Sequence, residues 1–222
     1  MTLVIFDCDG VLVDSEVLFN CIAAEEFTRC GVPMDTETAI ARFTGISAPN
    51  MIAAVEAETG KPIPEDFTQR CRARANKVFD AELEAIAGVD AVLMDNAQRR
   101  CVASSSSPAR IRRSLKTTGL YSHFKDDAIF SAVMVKNGKP APDLFLYAAE
   151  AMGVAPADCI VIEDSRAGVQ AGVAAGMTVL GFVGASHIRD GHANRLREIG
   201  THHIFDDMSA LPGLLGAVVG RN

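Results

Sequence analysis

The chain has 222 residues, of which 49% are hydrophobic, and its formal net charge at pH 7 is −7. This length allows one large domain, or a core domain with a smaller insert, and the apolar content is sufficient for a sizeable core. The acidic balance argues against a general affinity for nucleic acid or anionic membranes, since both need a basic surface. Any phosphate that the protein binds must therefore be held by a few local groups.

The N-terminal segment has the pattern of a buried β-strand that leads into acidic residues. Residues Thr2–Phe6 form a short apolar run, and Asp7 follows it directly. No basic and apolar leader precedes this run, which predicts a cytoplasmic protein.

The next stretch, from Ser15 to Ile86, has helical periodicity and contains no convincing strand. Its predicted helices are Val17–Cys30, Thr36–Phe43, Asn50–Thr59 and Asp66–Ala85. This is too long for one crossover helix, so we predict a helical cap over residues 15–86, inserted into a core of residues 1–14 and 87–222. A separate interaction domain is the alternative. Hinges are expected near Asp14–Glu16 and Ala85–Gly88, where they would let the cap close over a site.

After the insert, apolar runs alternate with helical segments. Four runs predict strands, at Arg100–Ala103, Ala128–Phe130, Cys159–Ile162 and Thr178–Phe182. Helical patterns lie between them, as at Pro108–Thr118 and Pro142–Met152. The uncharged stretch Ala167–Ser186 is interrupted by glycines, and it predicts a helix, a turn and a strand rather than a membrane span. Strands that alternate with helices predict an α/β fold built on a doubly wound parallel sheet.

The cysteines and histidines show no spacing typical of metal ligands. The six cysteines form no close pair, and we expect reduced thiols that act mostly as small apolar fillers. Four histidines could suggest zinc, namely His187, His192, His202 and His203. Their spacing does not support a zinc site, so they are predicted to be solvated loop residues.

The residues with chemical potential follow the predicted strands. In a doubly wound sheet, ligands bind beyond the carboxyl ends of the strands. Four segments are expected to meet there, namely Asp7–Gly10, Ser104–Ser107, Gly138–Pro140 and Glu163–Ser165. They bring together the carboxylates of Asp7, Asp9, Glu163 and Asp164, which would repel one another unless a hard cation lies among them. Mg²⁺ is the expected cation, because it binds oxygen ligands and is often shared with a phosphate.

Each role in phosphoryl transfer has a candidate in these segments. Asp7 ends the first strand and can attack phosphorus to form an aspartyl-phosphate. Asp9, two residues on, can protonate the ester oxygen and later accept a proton from water. Ser104 can donate a hydrogen bond to a phosphoryl oxygen, and Lys139 can neutralise the developing charge.

Backbone amides are expected to complete the phosphate site. Amides near Gly10 and at Ser105, directly after Ser104, can cradle the remaining oxygens. The sequence therefore predicts an enzyme that binds the transferred phosphate with its core.

These segments resemble the motifs of the haloacid dehalogenase superfamily, in the version with a helical cap inserted after the first motif. Asp7–Glu16 is similar to the first motif, Ser104 to the second, Lys139 to the third and Glu163–Ser165 to the fourth. The resemblance covers nearly the whole chain and implies a Rossmann-like core. It also implies that Asp7 is the nucleophile, that Asp9 is the acid and base, and that Asp7, the Asp9 carbonyl and Asp164 hold Mg²⁺. Glu163 would bind the metal directly or support its ligands.

Departures from the family patterns narrow the activity. Dehalogenases of this superfamily lack the second aspartate, so Asp9 argues against dehalogenation. Beta-phosphoglucomutases carry a His shortly after the first motif and an Arg after a cap Gly-x-Ser segment, where this chain has Phe19 and Ala48. The resemblance therefore favours hydrolysis of a small phosphate monoester, such as a sugar phosphate or sugar-acid phosphate. The nearest group is that of sugar-phosphate phosphatases, which includes 6-phosphogluconate phosphatases.

The cap is expected to select the leaving group. Its candidates are Arg42 and Gly45 in one loop, and Arg70 and Arg74 one turn apart on a helix. In the mutases that the chain resembles, a substrate-contacting lysine occupies the position of Arg74. A solvated helix face is the alternative.

Two other activities stay open at this point. They are a mutase-like phosphoryl transfer and a non-catalytic phosphoacceptor signalling module, which also uses acidic residues and a lysine on a parallel sheet. The expected partner is a small phosphorylated metabolite, without nucleic acid or membrane. The sequence leaves the substrate open, and it leaves open whether the protein is a monomer or a small homo-oligomer.

Overall fold

The computed structural model describes residues 2–95 and 98–219 of the chain. It divides into two compact units, one formed by Met1–Asp14 with Glu84–Asn222 and the other by Ser15–Leu83. The second unit ends at residue 83, whereas the predicted cap ends at residue 86. The difference arises because residues 84–86 pair with the backbone of residues 12–14.

That pairing is a short stretch of antiparallel contact. Asp14 N donates a hydrogen bond to Glu84 O at 3.0 Å, and Ile86 N donates to Leu12 O at 3.0 Å. Between them, Val13 forms an antiparallel bridge with residue 85. The two connecting segments, residues 12–14 and 84–86, are therefore hydrogen-bonded to each other.

The first unit is built on a parallel sheet, and six of its strands lie in the described residues. They are β1 (Leu3–Phe6), β2 (Arg99–Ser104), β3 (Ile129–Ser131), β4 (Cys159–Glu163), β5 (Thr178–Phe182) and β6 (His203–Phe205). Their order is β3-β2-β1-β4-β5-β6, and every neighbouring pair is parallel. The prediction of a doubly wound parallel sheet is confirmed. The three-residue edge strand β6 was not predicted.

Ten α-helices lie in the described parts of the chain. They are α1 (Glu16–Arg29), α2 (Thr36–Phe43), α3 (Ala48–Thr59), α4 (Phe67–Glu82), α5 (Val89–Asp95), α6 (Pro108–Thr117), α7 (Asp143–Ala151), α8 (Arg166–Ala174), α9 (His192–Ile199) and α10 (Leu211–Val219). Helices α1 to α4 form the second unit, and the other six belong to the first. Helix α4 ends three residues earlier than predicted, because residue 85 pairs with Val13.

The core of the first unit explains why its central strands are continuous apolar runs. All four residues of β1 are buried, since β2 and β4 pair with its two edges and helices cover the sheet. Leu3 and Ile5 of β1 share a buried cluster with Leu144 and Phe145 of α7. Strands that are buried on both faces lose the polar alternation of a half-exposed sheet.

Serine caps fix the start of two helices beside the carboxyl ends of the strands. Ser107 accepts a hydrogen bond from Arg110 N at the start of α6, and Pro108 occupies the first turn. Ser165 accepts one from Gly168 N at 3.0 Å at the start of α8. Each cap satisfies a backbone N–H that the helix leaves unpaired, and so ends the preceding loop at a defined residue.

The second unit packs its helices around aromatic rings and one buried carboxylate. The Phe27 ring lies 5.9 Å from the Phe43 ring and 4.4 Å from the Phe67 ring, between centroids. Glu26 is only 1% exposed and binds three arginines, Arg29, Arg70 and Arg74. Without these partners, burial of its charge would be costly.

In the described residues, no helix is long and apolar enough to span a membrane. The stretch Ala167–Ser186 folds as α8, a turn, β5 and the start of a loop, as its pattern predicts. All six cysteines have free thiols, and four of them are buried.

Candidate active site

The residues of the predicted site lie at the carboxyl ends of the central strands. Asp7 follows β1, Ser104 ends β2 and Glu163 ends β4. Asp7 N donates to Ile162 O at 3.0 Å, so the parallel pairing of β1 with β4 extends to the candidate nucleophile itself. A carboxylate at this position is held by the sheet rather than by a mobile loop.

Lys139 connects the carboxylates of two strands. Its Nζ lies 2.6 Å from Asp7 Oδ1 and 2.6 Å from Glu163 Oε1, and it donates to Ala103 O at 3.1 Å. The Lys139 side chain is 4% exposed. Burial alone would lower the pKa of this ammonium group, but Asp7 and Glu163 raise it above its ordinary value. Lys139 therefore stays charged and ties the end of β1 to the end of β4.

The negative charge at this edge exceeds what Lys139 neutralises. Burial raises the pKa values of Asp7 and Asp164 well above their ordinary values, with Lys139 opposing the rise. The neighbouring carboxylates, Glu163 among them, raise both pKa values further. Buried carboxylates with raised pKa values are stabilised in their charged form by a nearby cation.

The oxygen donors at this edge suit Mg²⁺ if the ion takes only two carboxylate ligands from the protein. In residues 2–95 and 98–219, no three Asp, Glu, His or Cys side chains form a group that could hold a metal ion. Mg²⁺ commonly takes only one or two carboxylates and completes its shell with other oxygens. Asp7 and Asp164 with the main-chain carbonyl of Asp9 fit that requirement.

Glu163 has protein partners on both carboxylate oxygens. Its Oε1 binds Lys139, and its Oε2 accepts hydrogen bonds from Ser165 N at 2.8 Å and Ser165 Oγ at 3.0 Å. A Cβ on Gly168 would lie 1.7 Å from Oε1, so only glycine allows α8 to start this close to the carboxylate. Both carboxylate oxygens of Glu163 are therefore bound by protein donors.

Asp9 is held by two residues that the sequence reasoning missed. Ser106 Oγ donates to Asp9 Oδ2 at 2.7 Å, and Arg110 contacts Asp9 Oδ1 at 3.3 Å. Ser106 belongs to the serine run from which only Ser104 and Ser105 were selected. The sequence could have indicated Arg110, because it lies in the first turn of the helix that starts directly after the serine run.

The serine loop after β2 has its own internal order. Ser104 is 1% exposed, and its Oγ accepts a hydrogen bond from Ser106 N at 3.0 Å. Ser131, at the end of β3, donates to Ser106 O at 2.6 Å. Ser105 is exposed between them. The loop is therefore a fixed turn rather than a flexible linker.

Gly10 allows the chain to turn beside Asp164. Its φ is +84°, and its N donates to Val13 O at 2.8 Å. A Cβ at this position would lie 2.1 Å from Asp164 Oδ2 and 3.0 Å from His187 Cε1. Both the backbone conformation and the close approach therefore require glycine.

Gly10→Ala is expected to impair activity, and Gly119→Ala provides a matched control. Gly119 has a similar φ of +78°, but no atom lies within 4 Å of a Cβ there. The control should lose about 1–2 kcal/mol of unfolding free energy from backbone strain and keep its kcat/KM. Gly10→Ala should lose more stability, and its kcat/KM should fall about 10²-fold because Asp164 is displaced. Urea unfolding and steady-state kinetics measure both effects, and equal behaviour of the two variants would contradict this account.

Two histidines lie against Asp164, so their prediction as solvated loop residues is wrong. His187 is 3% exposed, and its Nε2 lies 3.0 Å from Asp164 Oδ2. His192 Nε2 donates to Asp164 O at 2.6 Å, and burial lowers the pKa of this imidazole. The reason is that residues 183–191, the β5–α9 loop, fold back onto the end of β4.

The candidate specificity residues of the cap lie in the second unit and bind acidic neighbours there. Arg42 in α2 pairs with Glu58 of α3, and its guanidinium carbon lies 4.9 Å from the Phe43 ring centroid. Arg74 in α4 pairs with Glu25 and Glu26 of α1.

Gly45 and Arg70 complete the set of cap candidates. Gly45 adopts a φ of +76° in the turn between α2 and α3. Arg70 binds Asp66 as well as the buried Glu26. Each arginine of the set therefore has an acidic partner within this unit.

Comparison with known proteins is consistent with this geometry. Residues 4–182 match the family model of haloacid dehalogenase-like hydrolases. The chain is 36% identical over 185 residues to 6-phosphogluconate phosphatase of Escherichia coli, and the aligned region covers 83% of each protein. It is 29% identical to beta-phosphoglucomutase of Mycobacterium bovis, over 93% of this chain and 90% of that protein. A haloacid dehalogenase-like protein of Agrobacterium tumefaciens superposes with a TM-score of 0.89 at 35% identity, over 99% of both chains.

The match to the family model and the extent of these similarities define the class of protein. The chain belongs to the haloacid dehalogenase-like hydrolase family. Both the predicted family and the predicted class of enzyme, a phosphoric monoester hydrolase, are confirmed. No comparison tests the individual site residues, whose roles stay predictions.

Proposed function

We propose that the enzyme hydrolyses a small phosphate monoester, a sugar phosphate or sugar-acid phosphate, with Mg²⁺ and through an aspartyl-phosphate on Asp7. The observation that carries this proposal is the buried pair of Asp7 and Lys139, 2.6 Å apart at the end of β1. A carboxylate that is rigidly placed and compensated by a buried cation can act as a nucleophile.

The reaction proceeds in two steps. Asp7 attacks phosphorus and the ester oxygen leaves, taking a proton from Asp9, so that an alcohol and the aspartyl-phosphate form. Asp9 then accepts a proton from water as the water attacks the aspartyl-phosphate and releases phosphate. Ser104 and the backbone amides at Ser105 and near Gly10 bind the phosphoryl oxygens, while the N–H of Gly10 itself is bonded to Val13 O. Lys139 neutralises the charge that develops on these oxygens.

Asp7, Asp164 and the carbonyl of Asp9 would hold the Mg²⁺ ion. When bound, it supplies positive charge that stabilises the transferring phosphoryl group. The contacts of Glu163 with Lys139 and Ser165 support its assignment as a group that orients Lys139 rather than as a metal ligand. The sequence left open whether Glu163 binds the metal directly or supports its ligands, and these contacts favour the supporting role.

The substrate class is supported by the relatives. The E. coli relative is named for 6-phosphogluconate, and a relative from Thermotoga maritima, 32% identical, is named a phosphorylated carbohydrates phosphatase. A phosphorylated sugar or sugar acid is the expected partner of this chain as well. A cytoplasmic location and a monomeric or small homo-oligomeric state are part of the same proposal.

The mutase alternative has a relative in its favour and two residues against it. A beta-phosphoglucomutase is among the similar proteins. The His and Arg typical of that group are replaced by Phe19 in α1 and Ala48 at the start of α3. The signalling alternative is disfavoured by the position of the nucleophile at the end of the first strand.

Turnover assays with a panel of phosphorylated sugars and sugar acids test the proposed function. We expect many phosphates released per enzyme molecule with Mg²⁺, and no release after EDTA treatment. Conversion of an aldose 1-phosphate to its 6-phosphate without net phosphate release would support the mutase. At most one phosphate transferred per enzyme would support the signalling module instead.

Arg74→Ala tests whether the cap selects the leaving group. If Arg74 contacts the substrate, the variant should lose roughly 1.5–3 kcal/mol of transition-state binding for a sugar-acid phosphate, and little for p-nitrophenyl phosphate. Arg29→Ala is the matched control, because Arg29 also binds Glu26, at 2.8 Å, but is 61% exposed. Equal losses for both substrates, or the same losses in the control, would leave Arg74 with only its structural ion pairs.

A further inference from the structure

The carboxylate of Asp164 is enclosed by two groups of the first unit. On one side is the backbone of Gly10, where no side chain could be accommodated. His187 is in contact as well, with Nε2 3.0 Å from Oδ2, and the side chains of His187 and Asp164 are 2% and 4% exposed. His187 Nε2 therefore lies against the same Asp164 oxygen that faces Gly10, although the proposed reaction does not use His187.

The loop that carries His187 is fixed on both sides of it. Ser186 Oγ donates to Asp14 Oδ1 at 2.8 Å, and the Ser186 N–H also faces this carboxylate. A Cβ on Gly184 would lie 2.0 Å from Asp206 O, so this part of the loop packs directly on another backbone segment. His192, just after the loop, binds the carbonyl of Asp164. The β5–α9 loop thus contacts the side chain of Asp164, and the first residue of α9 contacts its main chain.

Such an arrangement matters for a magnesium ligand. Mg²⁺ requires nearly ideal octahedral geometry and tolerates misplaced oxygens poorly. Groups that bind the remaining atoms of a ligand fix its orientation, and their loss typically weakens metal binding 10- to 100-fold. A contact to one carboxylate oxygen restricts how the other can be presented to the metal.

We propose that His187 is a positioning residue that holds the carboxylate of Asp164 in the orientation needed to bind Mg²⁺. This inference rests on the magnesium site of the proposed function. In this proposal His187 acts through its contact with Asp164. Its removal should therefore weaken Mg²⁺ binding more than it slows the reaction of the loaded enzyme.

Three substitutions of His187 test whether its Nε2 acts as a hydrogen-bond donor to Asp164 or whether the ring only fills space. The amide of glutamine reaches about as far as Nε2, the amide of asparagine only about as far as Nδ1, and phenylalanine fills the volume without a donor. Calorimetric titration of the metal-free proteins with Mg²⁺ alone should give an affinity for His187→Gln within about threefold of wild type. For His187→Asn and His187→Phe it should fall about 10- to 100-fold.

Controls make each outcome decisive. His123→Gln removes a histidine that binds Asp90, 2.7 Å away, and should leave Mg²⁺ affinity unchanged. Thermal unfolding without metal identifies variants that do not fold, and if His187→Phe fails, the Gln and Asn pair still decides. Unchanged Mg²⁺ affinity in folded His187→Asn, or equal losses in His187→Gln and His187→Asn, would overturn the proposal.

Two further measurements distinguish this inference from the proposed function. Asp164→Asn should weaken Mg²⁺ binding, and if it does not, the proposed magnesium site itself is wrong and this inference falls with it. If Asp164→Asn weakens binding and the His187 variants do not, only this inference fails. At saturating Mg²⁺, the kcat of His187→Asn should recover to within a few-fold of wild type, and a kcat that stays low would contradict a role through metal binding.

Discussion

Asp7→Asn is expected to abolish turnover while the protein stays folded. The amide has nearly the shape of the carboxylate but is a far poorer nucleophile, and loss of a nucleophile typically lowers kcat by at least about 10⁴-fold. The fold should persist because the backbone N–H of residue 7 still bonds to Ile162 O. Lys139 also keeps its contact with Glu163.

Trapping of the intermediate provides the measurement. Wild-type enzyme quenched in acid during turnover should carry a phosphoryl group on the peptide that contains Asp7, and the variant should carry none. Asp158→Asn is the matched control, because it makes the same change at an exposed position before β4 and should not alter kcat. Phosphoryl transfer to another residue, or activity of Asp7→Asn within tenfold of wild type, would sink the proposed mechanism.

The sequence predicts the sheet and most of the central site because both depend on local patterns. Each central strand is an apolar run that is buried on both faces, and Asp7, Ser104 and Glu163 lie at or directly after strand ends. In a parallel sheet, adjacent carboxyl ends meet at one edge, so these residues converge without any knowledge of loop conformation. The helical insert was visible for a similar reason, since its period differs from that of the strands.

The missed parts of the site depend on how loops fold back. Arg110 contacts Asp9 across 101 positions of sequence, and Ser106 contacts it across 97. His187 lies in a loop that is anchored through Ser186 and that brings it against Asp164, a contact that the spacing of the histidines does not indicate. Contacts of this kind leave no periodic signal in the sequence.

The arginines of the second unit show that helical spacing does not identify the group that a charged face binds. A helix with Arg70 and Arg74 one turn apart could equally line a binding site or stabilise a buried acid. The structure reveals the second role through Glu26, which nothing in the sequence marks as buried. Spacing alone therefore identifies a charged face but not the group that it binds.

Lys139→Met is expected to reduce both activity and stability. Loss of a cation that stabilises the transferring phosphoryl group typically costs about 10³–10⁵-fold in rate. Removal of one partner from a buried ion pair leaves the other charge uncompensated and destabilises a protein by about 3–5 kcal/mol. Here Asp7 and Glu163 would both lose a contact of 2.6 Å. Lys136→Met changes an exposed lysine of the same loop and should leave both properties unchanged.

The destabilisation should depend on pH with a definite sign. Because the pKa of Lys139 is raised in the folded protein, its contribution is fully present at neutral pH and is lost only as the pH rises through that raised value. The pKa of Asp7 is also raised in the folded protein, so folding takes up a proton in the pH window above the ordinary pKa of an aspartate. Low pH therefore neutralises the Asp7 carboxylate, which is the charge that Lys139 compensates. The loss of unfolding free energy in Lys139→Met should therefore be smaller at pH 5 than at pH 8, as measured by urea unfolding without metal. An equal loss at both pH values would show that Lys139 stabilises the fold by packing rather than by its charge.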